Sequence, residues 1–524
     1  MNDQVFLPRK LLIFAIILPL AAFVGYLLSS PDFGSLAIVG LLFGVLLVPV
    51  FLKWHHPILV LGWSLPVQLF FLPGSPPFWM LAAAGSLAIT VLGAILNKDQ
   101  KLIHVPSVFW WLTALAAVVV FTMMMTGGLG VRSFGSSSYG GKKYFFLLLT
   151  VVAFSAICAY RVPRGKEQIY VAMFLLPPLA TFLSNLIYMA GPSLWFLYYL
   201  LPVDSALFQA QEDFGGYAGA ARFQRITGLS VGGIGLFSYM LARYGVHGIL
   251  DWTKPWRLVV FGGVVLVSLL GGFRSVVVIF AVLFVIQYFF EGLLRTRLTL
   301  FLVTLTLMGI AILIPFSRQL PLSVQRSLSI LPIDIDPAAR VDAKGSSEWR
   351  LQMWGILVRD IPKYFWIGKG YTASAADYYF AAESIRRGLV KDYEVSLVAG
   401  DYHNGPLSLI IPFGIWGAIA FSGFVWASLK VLYLNYKNGP PELKLINTFL
   451  LSAFIGRVIF FFSVFGAISL DLTLMAGLVG LGISMNGGVV RKPVTVLDTE
   501  APTRSPAPSP VGSLRPLSFG RIRT

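Results

Sequence analysis

The chain has 524 residues, 57% of them hydrophobic and 12% charged, and a net charge of +17. A soluble protein carries about 25% charged residues, and too few polar residues are present to coat a core of this size. That excludes a soluble globular enzyme, a disordered chain and a fibrous repeat, and points to an all-α polytopic membrane protein.

Apolar runs long enough to cross a hydrocarbon core of about 30 Å fall first at 11–29, 35–52, 57–73, 77–96, 106–126, 144–160 and 168–190. They make residues 1–190 an N-terminal set of transmembrane helices. Arg9 and Lys10 precede the first run, and another span follows at once, so the run reads as an uncleaved anchor. Residues 191–227 form a first periplasmic segment. Its apolar stretch SLWFLYYLLPV at 193–203 is short and interfacial, because Trp and Tyr favour the headgroup level.

Central transmembrane helices follow within 228–315, at 228–246, 257–272, 275–291 and 298–315. Residues 316–405 form a large periplasmic loop with eleven Lys or Arg and ten Asp or Glu. The periodicity predicts a helix over 346–361 inside it, with Ser346 or Ser347 as the cap and Trp349, Met353, Trp354 and Leu357 on one face. A loop of this length is functional more often than structural, and a cap lying on the bundle is expected. The C-terminal transmembrane helices, at 406–433, 444–464 and 466–485, occupy 406–485. Residues 486–524 hold six basic residues with repeated Pro and Ser, the composition of a disordered basic cytoplasmic tail. The fold class is thus all-α with about 14 (12–14) transmembrane helices and one long, partly helical periplasmic loop.

Orientation follows from the short loops. With the N-terminus inside, the inner loops are 53–56, 97–101, 160–168, 242–257, 291–297 and 436–444, and all are basic. The C-terminus then also lies inside. His55, His56, His104 and His247 fall on inner loops; His403 alone lies outside, just before the next span. The single Cys158 excludes a disulfide framework and any multi-cysteine metal site.

The stretch DYHNGPLSLIIPFGIWG at 401–417 places His403 and Asn404 ahead of nine residues, then Gly414, two residues and Gly417. This resembles the signature of the O-antigen ligase family: His, then Asn, Ser or Gln, nine residues, Gly, two residues, then Gly, Thr or Tyr. The resemblance covers about residues 220–430. Arg274 in GGFRSVVV stands where the family tends to have a Ser-Arg element, with Phe273 in place of the usual small residue. Arg222 and Arg225 in ARFQRITG resemble the family's Arg and Gly element without its Asn-Pro-Asn continuation. Arg350 in EWRLQMW is similar to the family's Arg and Trp pair, and Gly368-Lys369-Gly370-Tyr371 to the glycine element that follows.

The resemblance implies a metal-independent, cofactor-free glycosyltransferase of a bacterial inner membrane, with its site at the periplasmic face. It would move a glycan from a polyprenyl diphosphate to a hydroxyl on lipid A-core, on another glycan or on a protein, with membrane lipids and no nucleic acid as surroundings. His403 would be the base and Arg274 its catalytic partner. Arg222, Arg225, Arg274, Arg350 and Arg457 would bind the diphosphate, since a guanidinium offers bidentate contacts and stays charged. Asn404, Gly414 and Gly417 support the motif. The two glycines lie roughly 16–21 Å below His403 and read as small residues that let helices pack closely. Arg457 lies within a span, where a charge needs a partner, and Asp471 is the one on offer. Asp334-Ile335-Asp336 has the form of a sugar-nucleotide metal motif but is short enough to arise by chance. A lipid-linked glycan transporter and a polysaccharide-export scaffold are the rival classes; no internal repeat of the transporter kind is evident.

Overall fold

The computed structural model describes residues 9–29, 32–98, 102–130, 138–203, 225–391 and 393–491. Arg222 and the tail from residue 492 onward lie outside them. Residues 1–490 form one packed unit and 491–524 a second, of which only Arg491 is described.

The helices are α1 (Arg9–Ser29), α2 (Phe33–Gly62), α3 (Phe78–Leu96), α4 (Pro106–Thr126), α5 (Gly141–Cys158), α6 (Glu167–Leu175) and α7 (Thr181–Ala190). After the first long segment come α8 (Thr227–Ile249), α9 (Trp256–Ser268), α10 (Arg274–Phe290) and α11 (Arg297–Phe316). The 316–405 segment carries α12 (Leu322–Ser327), α13 (Pro337–Tyr364), α14 (Ala375–Arg386) and α15 (Tyr393–Ala399). The chain ends with α16 (Gly405–Asn438), α17 (Lys444–Ser463) and α18 (Ile468–Asn486). Among the described residues nine stretches are helical, long and apolar enough to cross a membrane, and three shorter apolar helices accompany them. The protein is therefore an all-α, multi-pass membrane protein. The sole sheet among the described residues pairs β1 (Ser138–Tyr139) with β2 (Ala373–Ser374), antiparallel.

Burial sorts the helices. Most of α18 is buried, from Ile468 to Asn486, whereas α11 buries nothing. An apolar helix with no buried face is stable where the surrounding solvent is hydrocarbon, because lipid imposes no cost on exposed Leu, Ile and Val.

Two expectations change. The run at 57–73 is not a helix throughout: α2 kinks at Trp54 and ends at Gly62, and residues 63–77 turn back with a bridge between Gln68 and Pro77. Pro66, Pro73, Pro76 and Pro77 lack the N–H that a helix or ladder needs there. The loop helix starts nine residues earlier than the periodicity predicts. Asp336, not Ser346 or Ser347, caps α13 by accepting from the Ala338 N–H at 2.8 Å, and Pro337 sits at the helix start. The predicted face holds. Met353 and Leu357 pack with Tyr402, Leu407 and Ile411, flanked by Trp349 and Trp354, so α13 lies on the beginning of α16.

Helix α16 is broken at Gly414, whose φ is +62° and ψ −162°. Pro412 removes one N–H just before the break. The carbonyls freed there are taken by the 365–370 segment: Lys369 N–H donates to Ile411 O at 2.7 Å and Gly370 N–H to Pro412 O at 3.0 Å. In return Ile415 N–H donates to Phe365 O at 2.7 Å. A broken helix in a membrane protein survives where other backbone re-satisfies the freed groups.

Candidate functional site

The turn that carries His403 is held by three separate elements. Asn404 caps α16 by accepting from Leu407 N–H at 3.0 Å, with Pro406 in the first turn. Trp354 Nε1 on α13 donates to the Tyr402 carbonyl at 2.8 Å. Lys143 Nζ on α5 donates to the Ala399 carbonyl and to Asp401 Oδ1, each at 2.6 Å. Between these anchors His403 adopts φ +52°, one of two positive values among the described non-glycine residues. Such a conformation costs about 1–3 kcal/mol and persists where its surroundings over-determine it.

The imidazole is half-buried between two rings, with Trp349 centred 5.4 Å away and Phe465 5.1 Å away. Desolvation, then the Arg350 cation, pull its pKa below 6.5; Asp401 opposes them and Lys143 adds to them. The ring is neutral at pH 7, as a proton acceptor must be.

Arg350 bridges from the imidazole to the other guanidinium groups. It lies over Phe465, 6.0 Å from the ring centroid, and its buried Nε has no hydrogen-bond partner among the described residues. Burial and the fields of Arg274 and Arg326 lower its pKa. Arg274, the first residue of α10, donates to Ser347 Oγ of α13 at 3.0 Å. Arg326 donates to the Asp342 carboxylate and to the Gly272 carbonyl. Arg225 Nη2 reaches the same carboxylate at 2.8 Å. Burial and Arg326 lower the Arg225 pKa while Asp342 raises it. Asp342 thus forms ion pairs with Arg225 and Arg326, whereas Arg274 feels its field without an ion pair and Arg350 has no ion pair among the described residues. The result is a partly buried cluster of guanidinium groups, one of which bears on the imidazole, suited to an anion of high charge.

The structure sets Asn404 at the cap beside His403 and Arg350 within the field of the imidazole, with Arg274 acting on Arg350 and Arg225 a step further, joined through Arg326 and Asp342. Arg222 lies outside the described residues. Arg457 pairs with Asp471 at 2.5 Å inside the bundle, the partner that the sequence offers. The contact is electrostatic, since neither Arg457 Nε nor Asp471 Oδ1 makes an aligned hydrogen bond. Gly414 does not serve helix packing: a Cβ there would lie 2.6 Å from the Phe365 carbonyl and 2.8 Å from that of Trp366, so it admits the 365–370 backbone into the break. Gly417 faces Phe413 of its own helix, where a Cβ would lie 2.4 Å from that side chain. Asp334 and Asp336 do not act together: Asp334 pairs with Arg318 at 2.7 Å, and Asp336 caps α13.

Sequence reasoning missed Arg326, Asp342, Lys143 and Phe465. Helical spacing over Ala339, Ala343, Ser347, Arg350 and Trp354 was a usable signal for the face of α13 that meets the bundle. No local pattern marks Lys143, whose partners lie 256 and 258 residues away. No family model matches the chain, and no curated protein matches it.

Proposed function

We propose that the chain is an O-antigen ligase-like membrane glycosyltransferase that moves a glycan from a polyprenyl diphosphate carrier to an acceptor hydroxyl. The supporting observation is that Arg350 bears on both the half-buried His403 imidazole and Arg274, and that neither arginine forms an ion pair among the described residues.

In this reading the diphosphate lies against Arg274 and Arg350, with Arg225 and Arg326 behind them. His403 takes the proton of the acceptor hydroxyl as its oxygen attacks the anomeric carbon. The bond from that carbon to the phosphate oxygen breaks, its electron pair stays on the lipid diphosphate, and the guanidinium groups stabilise the charge that develops. The imidazolium then releases its proton to solvent or to the departing diphosphate. General-base catalysis supplies about 10²–10⁴ in rate. A periplasmic site and an inner-membrane location belong to the same proposal, supported by the basic short loops.

The test is incubation of the purified protein with lipid-linked glycan and candidate acceptors without added divalent metal. Product on lipid A-core identifies a ligase, longer lipid-linked glycan a polymerase, and glycosylated protein an oligosaccharyltransferase. Transfer of intact lipid between leaflets with no new bond overturns the proposal in favour of a transporter.

A further inference from the structure

Asp401 stands two residues before His403, close enough to bear on its charge, yet its carboxylate is drawn away toward another helix. Lys143 Nζ holds it at 2.6 Å and at the same time holds the Ala399 carbonyl at 2.6 Å. The ammonium also lies 5.3 Å from the centre of the Tyr371 ring, whose own backbone N–H is fixed by the Tyr144 hydroxyl at 2.8 Å. Tyr144 neighbours Lys143 on α5, so the same helix turn holds both the 371 and the 399–401 segments. The Lys143 side chain is 25% exposed, and Asp401 51%. A half-exposed ion pair of this kind contributes little to stability by itself. Its geometry instead governs where one carboxylate goes.

We propose that Lys143 is a positioning residue for His403, clamping the 399–401 turn and sequestering the Asp401 carboxylate from the imidazole and from Arg350. The inference rests on the reading of His403 as the base. Without the clamp, the Asp401 carboxylate is free to turn toward the imidazole, on which it already bears, and toward Arg350. It would pair with Arg350 or with the imidazole, occupy the place of the diphosphate and favour the protonated ring. The charged groups that bear on the imidazole are Arg350 from α13, Lys143 from α5 and Asp401 from its own turn. Removing Lys143 deletes one cation and frees one anion, and both changes favour protonation.

The experiment follows the reaction of His403 with diethyl pyrocarbonate, which attacks the neutral imidazole, as a function of pH. It uses the full-length protein in detergent, with each histidine resolved by peptide mass spectrometry. In Lys143→Ala the His403 midpoint rises by about one pH unit, and Lys143→Arg returns it to the wild-type value. Adding Asp401→Asn to Lys143→Ala brings the midpoint back down. Asp401→Asn alone, which keeps Lys143, lowers the midpoint, so a poorly folded Lys143→Ala does not close the test. A midpoint unmoved in a folded Lys143→Ala, or unaffected by Asp401→Asn, overturns the proposal. Because the readout needs no glycan transfer, a moved midpoint in a protein without transferase activity sinks the proposed function and leaves this inference standing.

Discussion

Arg225 and Asp342 meet at 2.8 Å although 117 residues separate them in the chain. The same carboxylate receives Arg326. One aspartate therefore divides the cations at the head of the bundle into a paired set, Arg225 and Arg326, and an unpaired set, Arg274 and Arg350. Of the unpaired set, Arg350 is the one that bears on His403.

Asp342→Asn leaves four guanidinium groups facing one another. The Arg225 pair is partly screened by solvent but the Arg326 side chain is buried, so the expected loss is about 1–4 kcal/mol of stability. It should appear as a lowered melting temperature in detergent, and inorganic pyrophosphate should restore more stability to the variant than to the wild type. Equal rescue of both proteins would show that these guanidinium groups are not where that anion binds.

His403→Ala should cut glycan transfer by about 10²–10⁴ and Arg274→Ala by about 10²–10³, with membrane levels unchanged. Arg274→Lys should not restore activity, because an ammonium lacks the planar fork. Retained transfer in either alanine variant contradicts the assigned role.

The acid limb of the pH profile of kcat/KM should lie below 6.5, since burial and Arg350 depress the His403 pKa. The base is active when neutral, so activity is full above that pKa and is lost as pH falls through it. Arg350→Met removes a cation beside the ring and should move the limb upward. A limb that does not respond would separate Arg350 from the imidazole electrostatically.

Arg457→Leu leaves Asp471, 1% exposed, as an uncompensated charge, at a cost of about 3–5 kcal/mol. The double variant with Asp471→Leu should recover most of the membrane level and retain transfer. Recovery of protein without transfer would return Arg457 to the diphosphate-binding set.

Gly414→Ala forces a side chain onto a φ of +62° and against the Phe365 and Trp366 carbonyls. It should cost about 1–3 kcal/mol and raise amide exchange at Lys369 and Gly370, whose N–H groups bond across the break. Unchanged exchange there would mean that the break does not depend on this glycine.

Hydropathy by itself determined that the chain is built of membrane-spanning helices. In hydrocarbon the backbone must satisfy its own hydrogen bonds, and a long apolar run does so locally, as α11 does without burying one side chain. The apolar face of α13 was equally legible, since Met353 and Leu357 recur at helical spacing whatever they pack against. Asp336-Pro337 was also a readable start that the search for a Ser cap passed over. Pro412 and Gly414 announced a weak point in α16, but not that a distant loop would supply its missing hydrogen bonds. Tertiary structure alone decided which charges are paired. Arg225, Arg274, Arg326, Arg350 and Arg457 are identical side chains to a reader of sequence. Their difference lies in whether packing brings a carboxylate into an ion pair: Asp342 for the first and third, Asp471 for the last, and none among the described residues for Arg274 and Arg350.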